Sequence, residues 1–117
     1  IDSLPIGLTL LYLYDFGTNI TGSIGSLNTN ITTMYLSLSG SNFDLTTSLK
    51  AFNSATITIG QGYTTAEIDA FLIAYDAVAG TATRTIDLRG SNQPRSAASD
   101  AAVISLTAKG RTILTNP

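Results

Sequence analysis

The sequence predicts an α/β fold. The expected form is a solenoid with a parallel sheet of about four or five short strands, helix-free returns in its N-terminal half and two helices in its C-terminal half. Three observations carry this expectation. The chain matches itself at a shift of 23 residues, short segments alternate apolar and polar residues, and helical patterns follow only the third and fourth such segments. With 117 residues, residues 1–117 are expected to form a single domain with a modest core.

At a shift of 23, Leu8 falls on Ile31, Thr9 on Thr32, Leu11 on Met34, Tyr12 on Tyr35, Leu13 on Leu36 and Gly17 on Gly40. A second shift of 23 places Met34 on Ile57 and Leu36 on Ile59. A further unit follows a longer step: "TIDLRGSN" (85–92) matches "YLSLSGSN" (35–42), with Ile86 on Leu36 and Leu88 on Leu38. "RTILTN" (111–116) reads as a final short strand. A strand returning to lie parallel beside its predecessor needs a crossover of roughly a dozen residues or more. A unit that cannot bury its apolar face alone is stabilised by stacking on its neighbours.

Each expected strand has one apolar side. Leu11 and Leu13 point inward while Tyr12 and Tyr14 point outward. Met34 and Leu36 point in, Tyr35 and Ser37 out. Ile57 and Ile59 point in, Thr56 and Thr58 out. Ile86 and Leu88 point in, Asp87 and Arg89 out. The first two returns, rich in Gly, Asn, Thr and Ser, read as turns or extended segments. Residues 64–78 read as a helix: Thr64 and Glu67 have capping-box spacing, Ile68, Phe71, Leu72 and Tyr75 form a stripe, and Gly80 can end it. A second helix is expected over 96–109, capped by Ser96, with Ala102 and Leu106 on its apolar face and Gly110 as the stop.

"LTLLYLYDFGTNITGSI" and "ITTMYLSLSGSNF" resemble the leucine-rich-repeat family, whose period of 20–29 residues covers these steps. The C-terminal stretch, with "IDLRGSN", a small-residue helix and "KGRTILTN", is similar to repeat modules of bacteriophage tail or fibre proteins and of bacterial surface proteins. The resemblance implies a binding or building role and leaves the ligand open. One departure is that the family's strand-end Asn is shifted or replaced by Gly-Thr-Asn or Gly-Ser-Asn. Asn19, Asn42 and Asn92 are therefore either rungs of a buried Asn ladder or surface turn residues beside Gly.

Composition narrows the function classes. Charged residues make up 12% of the chain, about half the usual share. Thr and Ser take their place, giving the neutral, hydroxyl-rich surface expected of an extracellular or virion protein. A net charge of −2 with six scattered Lys and Arg argues against nucleic acid. No apolar run approaches the roughly 18 residues of a membrane span. No signal peptide is visible, and a start at Ile1 fits a processed product or a piece of something longer. The chain has no Cys and no His, which removes disulfides, thiolate metal sites and the commonest general base. No cofactor is expected. Asp15, Asp44, Asp87 and Asp100 are isolated, so no metal site is expected either.

The candidate ligand-binding residues are those of the outward strand face. Tyr12, Tyr35, Thr58 and Asp87 form one row; Tyr14, Ser37 and Arg89 form the next. Aromatic and hydroxyl groups on a flat sheet can stack on and hydrogen-bond sugars. The same residues also fit packing against a neighbouring subunit, or a plain solvated strand face. Catalysis is not expected. The remaining acidic candidates, Glu67, Asp69 and Asp76, share a helix whose polar face reads as solvated. Asn19-Ile20-Thr21 and Asn30-Ile31-Thr32 are glycosylation sequons.

The expected function is a non-enzymatic binding module of a phage virion or bacterial surface protein that recognises a host-surface glycan or protein. An alternative is a structural subunit of a fibre or filament, stacked head to tail through Leu4–Leu13 and Ile113–Asn116 as a homo-oligomer or part of a larger assembly. A carboxylate-dependent glycan hydrolase is a third possibility.

Overall fold

The computed structural model describes residues 4–14, 20–37, 43–54, 56–60 and 62–117. Its main feature is a five-stranded, wholly parallel sheet. The strands are β1 (Leu10–Tyr14), β3 (Thr33–Ser37), β5 (Thr56–Gly60), β6 (Arg84–Asp87) and β7 (Arg111–Leu114), neighbours in that order. A second, two-stranded parallel sheet joins β2 (Gly22–Ser23) to β4 (Phe43–Asp44). Helices α1 (Thr65–Val78) and α2 (Asp100–Ala108) both follow the third strand of the main sheet. The mixed α/β class, the parallel sheet and the placement of the helices agree with the sequence.

The register explains the repeat. Leu10 lies beside Thr33 and Thr33 beside Thr56, two equal steps of 23 residues. Thr56 then lies beside Thr85 and Arg84 beside Arg111, longer steps that accommodate α1 and α2. One alignment needs correcting. Ile86 pairs with Ile57, which pairs with Met34, so Ile86 does not align with Leu36. The shared Gly-Ser-Asn sequence draws the match two residues out of register. A slip of two leaves each side chain on its face, so the inward and outward assignments survive.

The inward rows form the core with the helix stripe. Met34, Leu36, Ile57, Ile59, Ile86 and Leu88 are buried, and Ile68, Phe71, Leu72 and Tyr75 cover them from α1. The capping box of α1 is complete: Glu67 N donates to Thr64 Oγ1 at 3.3 Å, and Thr64 N donates to Glu67 Oε2 at 3.0 Å. Gly80 is not a left-handed stop. The helix ends on an extended Ala79 instead. Ser96 caps a short 3-10 turn over Ala97–Ser99, and that turn leads into α2. Gly110, at φ +95, turns the chain out of α2 into β7.

Among the described residues the first two returns hold no α-helix, but the first is not helix-free as expected: Ile24–Ser26 form a short 3-10 turn capped by Ser23. Ser23 Oγ accepts from Gly25 N at 3.1 Å and donates to Thr47 O at 2.7 Å. Gly25 is buried against the next return, and a Cβ there would lie 2.3 Å from Thr47 O. Hydroxyls tie successive turns at strand entry: Thr32 Oγ1 donates to Thr9 O at 3.0 Å and Ser54 Oγ to Ile31 O at 2.7 Å. Thr9 O also accepts from the main-chain N–H of Thr32 at 2.7 Å, so side chain and backbone of Thr32 grip the same carbonyl.

Candidate functional site

Parallel pairing with a common register lines up the outward residues of the main sheet. Tyr12, Tyr35, Thr58 and Asp87 are consecutive partners across four strands, forming the first expected row. The Tyr35 ring stacks on Tyr12 with centroids 5.9 Å apart and meets Tyr14 at 5.2 Å. Tyr12 and Tyr14 remain about half exposed, at 52% and 48%. The three rings form a continuous aromatic surface at the β1 end of the sheet.

On the fourth strand, β6, the row reaches a charge pair. Arg89 Nε donates to Asp87 Oδ1 at 2.9 Å and Nη2 donates to Asp87 Oδ2 at 2.8 Å. The Arg89 main-chain N–H also reaches Oδ1, at 3.1 Å. The guanidinium hydrogen bonds and charge hold the Asp87 carboxyl below its ordinary pKa against a smaller opposing effect of burial. The two-pronged geometry fixes both side chains in one plane.

Between the aromatic and charged ends lies an open depression of about 430 Å³ lined by Tyr35, Thr58, Gly60, Asp87, Arg89 and Gly90. Four of the expected ligand-binding residues meet here. Tyr12 and Tyr14 extend the aromatic wall outward. Ser37 differs. It occupies the outward row between Tyr14 and Gly60 but is only 4% exposed and does not line the depression. Gly60 and Gly90 were not identified from sequence as part of this surface. A missing side chain in an outward row becomes informative only once its neighbours are known.

The acidic helix residues are not solvated as expected. Asp69 is 6% exposed. Its Oδ1 accepts from Ser96 N at 3.0 Å and Ser99 Oγ at 2.6 Å, and its Oδ2 accepts from Ser96 Oγ at 2.5 Å. Burial pushes this carboxyl's pKa up, but the Ser96 and Ser99 hydrogen bonds outweigh it, so the net direction is down. Asp76 accepts from Lys109 Nζ at 2.7 Å. Both groups link α1 to the return that follows β6. A smaller cleft of about 250 Å³ borders Asp44, Tyr63 and Glu67. Asp44 there accepts from Thr46 and Thr47, and Glu67 is occupied in the capping box.

Asn92 is buried. Its amide donates to Ile59 O at 2.8 Å and Leu88 O at 2.9 Å, and its Oδ1 accepts from Tyr63 N at 3.1 Å. Asn19 and Asn42 lie outside the described residues, as does Asp15. In the second sequon Asn30 is exposed. Among the described residues no cluster of acidic side chains could hold a metal, and no helix is long and apolar enough to cross a membrane.

No protein-family model, curated protein or solved structure matches this chain.

Proposed function

We propose that this chain is a non-enzymatic recognition module. It is built as a leucine-rich-repeat-like solenoid, carried on a virion or a bacterial surface, and binds a host-surface glycan or protein through the outward face of its main sheet. One observation carries the reading: an in-register row from Tyr12 to Asp87 that places stacked tyrosines on one side of an open depression and a fixed Asp87–Arg89 pair on the other. Exposed aromatics beside a pre-organised polar pair resemble the anchors that dominate binding energy at recognition surfaces. The solenoid reading is supported by strands that follow one another in sequence order with equal early steps. The resemblance and the low charge support the extracellular setting.

The test is binding of labelled protein to a panel of intact cells, comparing the natural chain with the Tyr12→Ala/Tyr35→Ala double variant. A loss of tenfold or more in affinity, with an unchanged urea midpoint, is expected. Equal binding by the folded double variant would show that this face is not the recognition surface.

A second reading, a structural subunit, is favoured by the sheet's end strand. Leu10 is 53% exposed and nearby Ile6 is 86% exposed, while β1 (Leu10–Tyr14) carries no charged residue of the kind that protects free sheet edges. Light scattering over a concentration series separates the two readings. A concentration-independent monomer favours recognition, and growing polymers favour assembly.

A further inference from the structure

Gly60 ends β5 on the outward row, beside Ser37 of β3. The residue is buried, yet a Cβ built on it would meet nothing within 4 Å among the described residues. The space above Gly60 is therefore a vacancy inside the wall of the sheet, and it belongs to the depression bounded by Tyr35 and Arg89. Resting on the recognition reading above, we propose that this vacancy is a subsite for an uncharged sugar of a host glycan.

The chemistry of the walls selects that class. Tyr35 presents an aromatic ring, a surface on which the apolar C–H face of a pyranose stacks. Opposite it, Asp87 and Arg89 are the only charged residues among the described residues lining the depression, and they neutralise each other through two parallel hydrogen bonds. An anionic ligand would have to compete with Asp87 for Arg89, and a cationic one with Arg89 for Asp87. A sugar hydroxyl needs no such exchange. It can accept from Arg89 Nη1, whose hydrogens the fork does not use, and donate to a remaining lone pair of the Asp87 carboxylate. Thr58 adds a hydroxyl of its own. The volume of about 430 Å³ lies toward the small end of the range for small-molecule sites, about 300–1,000 Å³, which suits a short stretch of oligosaccharide.

The experiment is a protein-observed NMR titration with uncharged tetraoses of glucose, galactose, mannose and N-acetylglucosamine, and with sialyllactose and a heparin tetrasaccharide as charged probes. The expected result is that at least one uncharged tetraose shifts the amides of Thr58, Gly60 and Arg89. Gly60→Val, which fills the vacancy, should weaken that binding at least tenfold, while Thr56→Val on the same strand leaves it unchanged. Circular dichroism confirms the fold of each variant, with Gly60→Ala as the smaller probe should the valine disturb it. Binding of the charged probes alone would overturn the uncharged class and leave the recognition face standing. Undiminished tetraose binding by the folded Gly60 variants would overturn the subsite. No response to any probe would overturn the sugar class altogether, and the cell-binding test would then decide the recognition reading independently.

Discussion

The side-chain amide of Asn116 donates to the main-chain oxygen of Asn92 at 2.8 Å, and also to Gly90 O at 3.0 Å. Asn92 acts in a similar way one turn earlier, reaching back to Ile59 O on the preceding turn and to Leu88 O four residues before it, while accepting from Tyr63 N. Successive turns of the chain are thus fastened at the ends of their strands by Asn side chains. Asn92→Ala would leave one N–H and two carbonyls without these partners in the interior. At about 1–3 kcal/mol for each orphaned group, softened by relaxation, a loss of about 3 kcal/mol is expected. Asn116→Ala, at the less buried end, should lose about 1 kcal/mol. Urea unfolding of the two variants checks the ranking.

Gly25 is needed for a close backbone approach. With a Cβ placed 2.3 Å from Thr47 O and 2.6 Å from Ser48 O, Gly25→Ala forces two returns apart. A destabilisation of about 1–3 kcal/mol is expected, as for other overpacking substitutions. An unchanged thermal midpoint would mean that the returns separate freely.

Acid should weaken the fold through two carboxylates. Asp44 is lowered to about 2 by hydrogen bonds from Thr47 and Thr46, and Asp69 is lowered from 3.8 by its serine partners. A depressed folded-state pKa gives stability that is fully present above the unfolded value near 4 and is lost as pH falls through the folded value. Stability should therefore hold down to about pH 5 and decline from there toward pH 2. Asp69→Asn should flatten part of that decline while lowering stability at pH 7. A titration of the urea midpoint against pH, showing identical slopes for both proteins, would remove Asp69 from this account.

Tyr75 gives a prediction of opposite sign. Its ring is buried against Phe71, with centroids 5.7 Å apart, and lies under the Arg111 guanidinium, yet its hydroxyl has no hydrogen-bond partner among the described residues. Removing a buried, unsatisfied polar atom while keeping the ring should be neutral or stabilising by up to about 1 kcal/mol. Tyr75→Phe measured by thermal unfolding tests this. A clear loss of stability would mean that the hydroxyl has found a partner in solution.

The strand rows and α1 were legible because their signals are local. Alternation places Met34 and Leu36 on one side, and the Thr64–Glu67 box marks a helix start within four residues. Features with partners a full turn away were not. Asp69 reads as a surface acid until Ser96 and Ser99 are brought to it. Arg111 was legible only as part of a final short strand, whereas its Nη1 reaches Gly80 O and Ala82 O beyond the end of α1. The outward row of the main sheet was legible as a row of side chains. Its depression was not, because it depends on what Gly60 lacks and on how far Ser37 is covered.

The equal spacing of the first three strands in the main sheet has an evolutionary consequence. Leu10, Thr33 and Thr56 occupy equivalent positions, and the inward and outward rows continue unchanged across both steps. An in-frame duplication of one 23-residue unit would preserve that pairing and widen the sheet by about 4.8 Å. This half of the molecule can therefore grow or shrink between lineages by whole units. The C-terminal half, with unequal steps set by its two helices, offers no such interchangeable module.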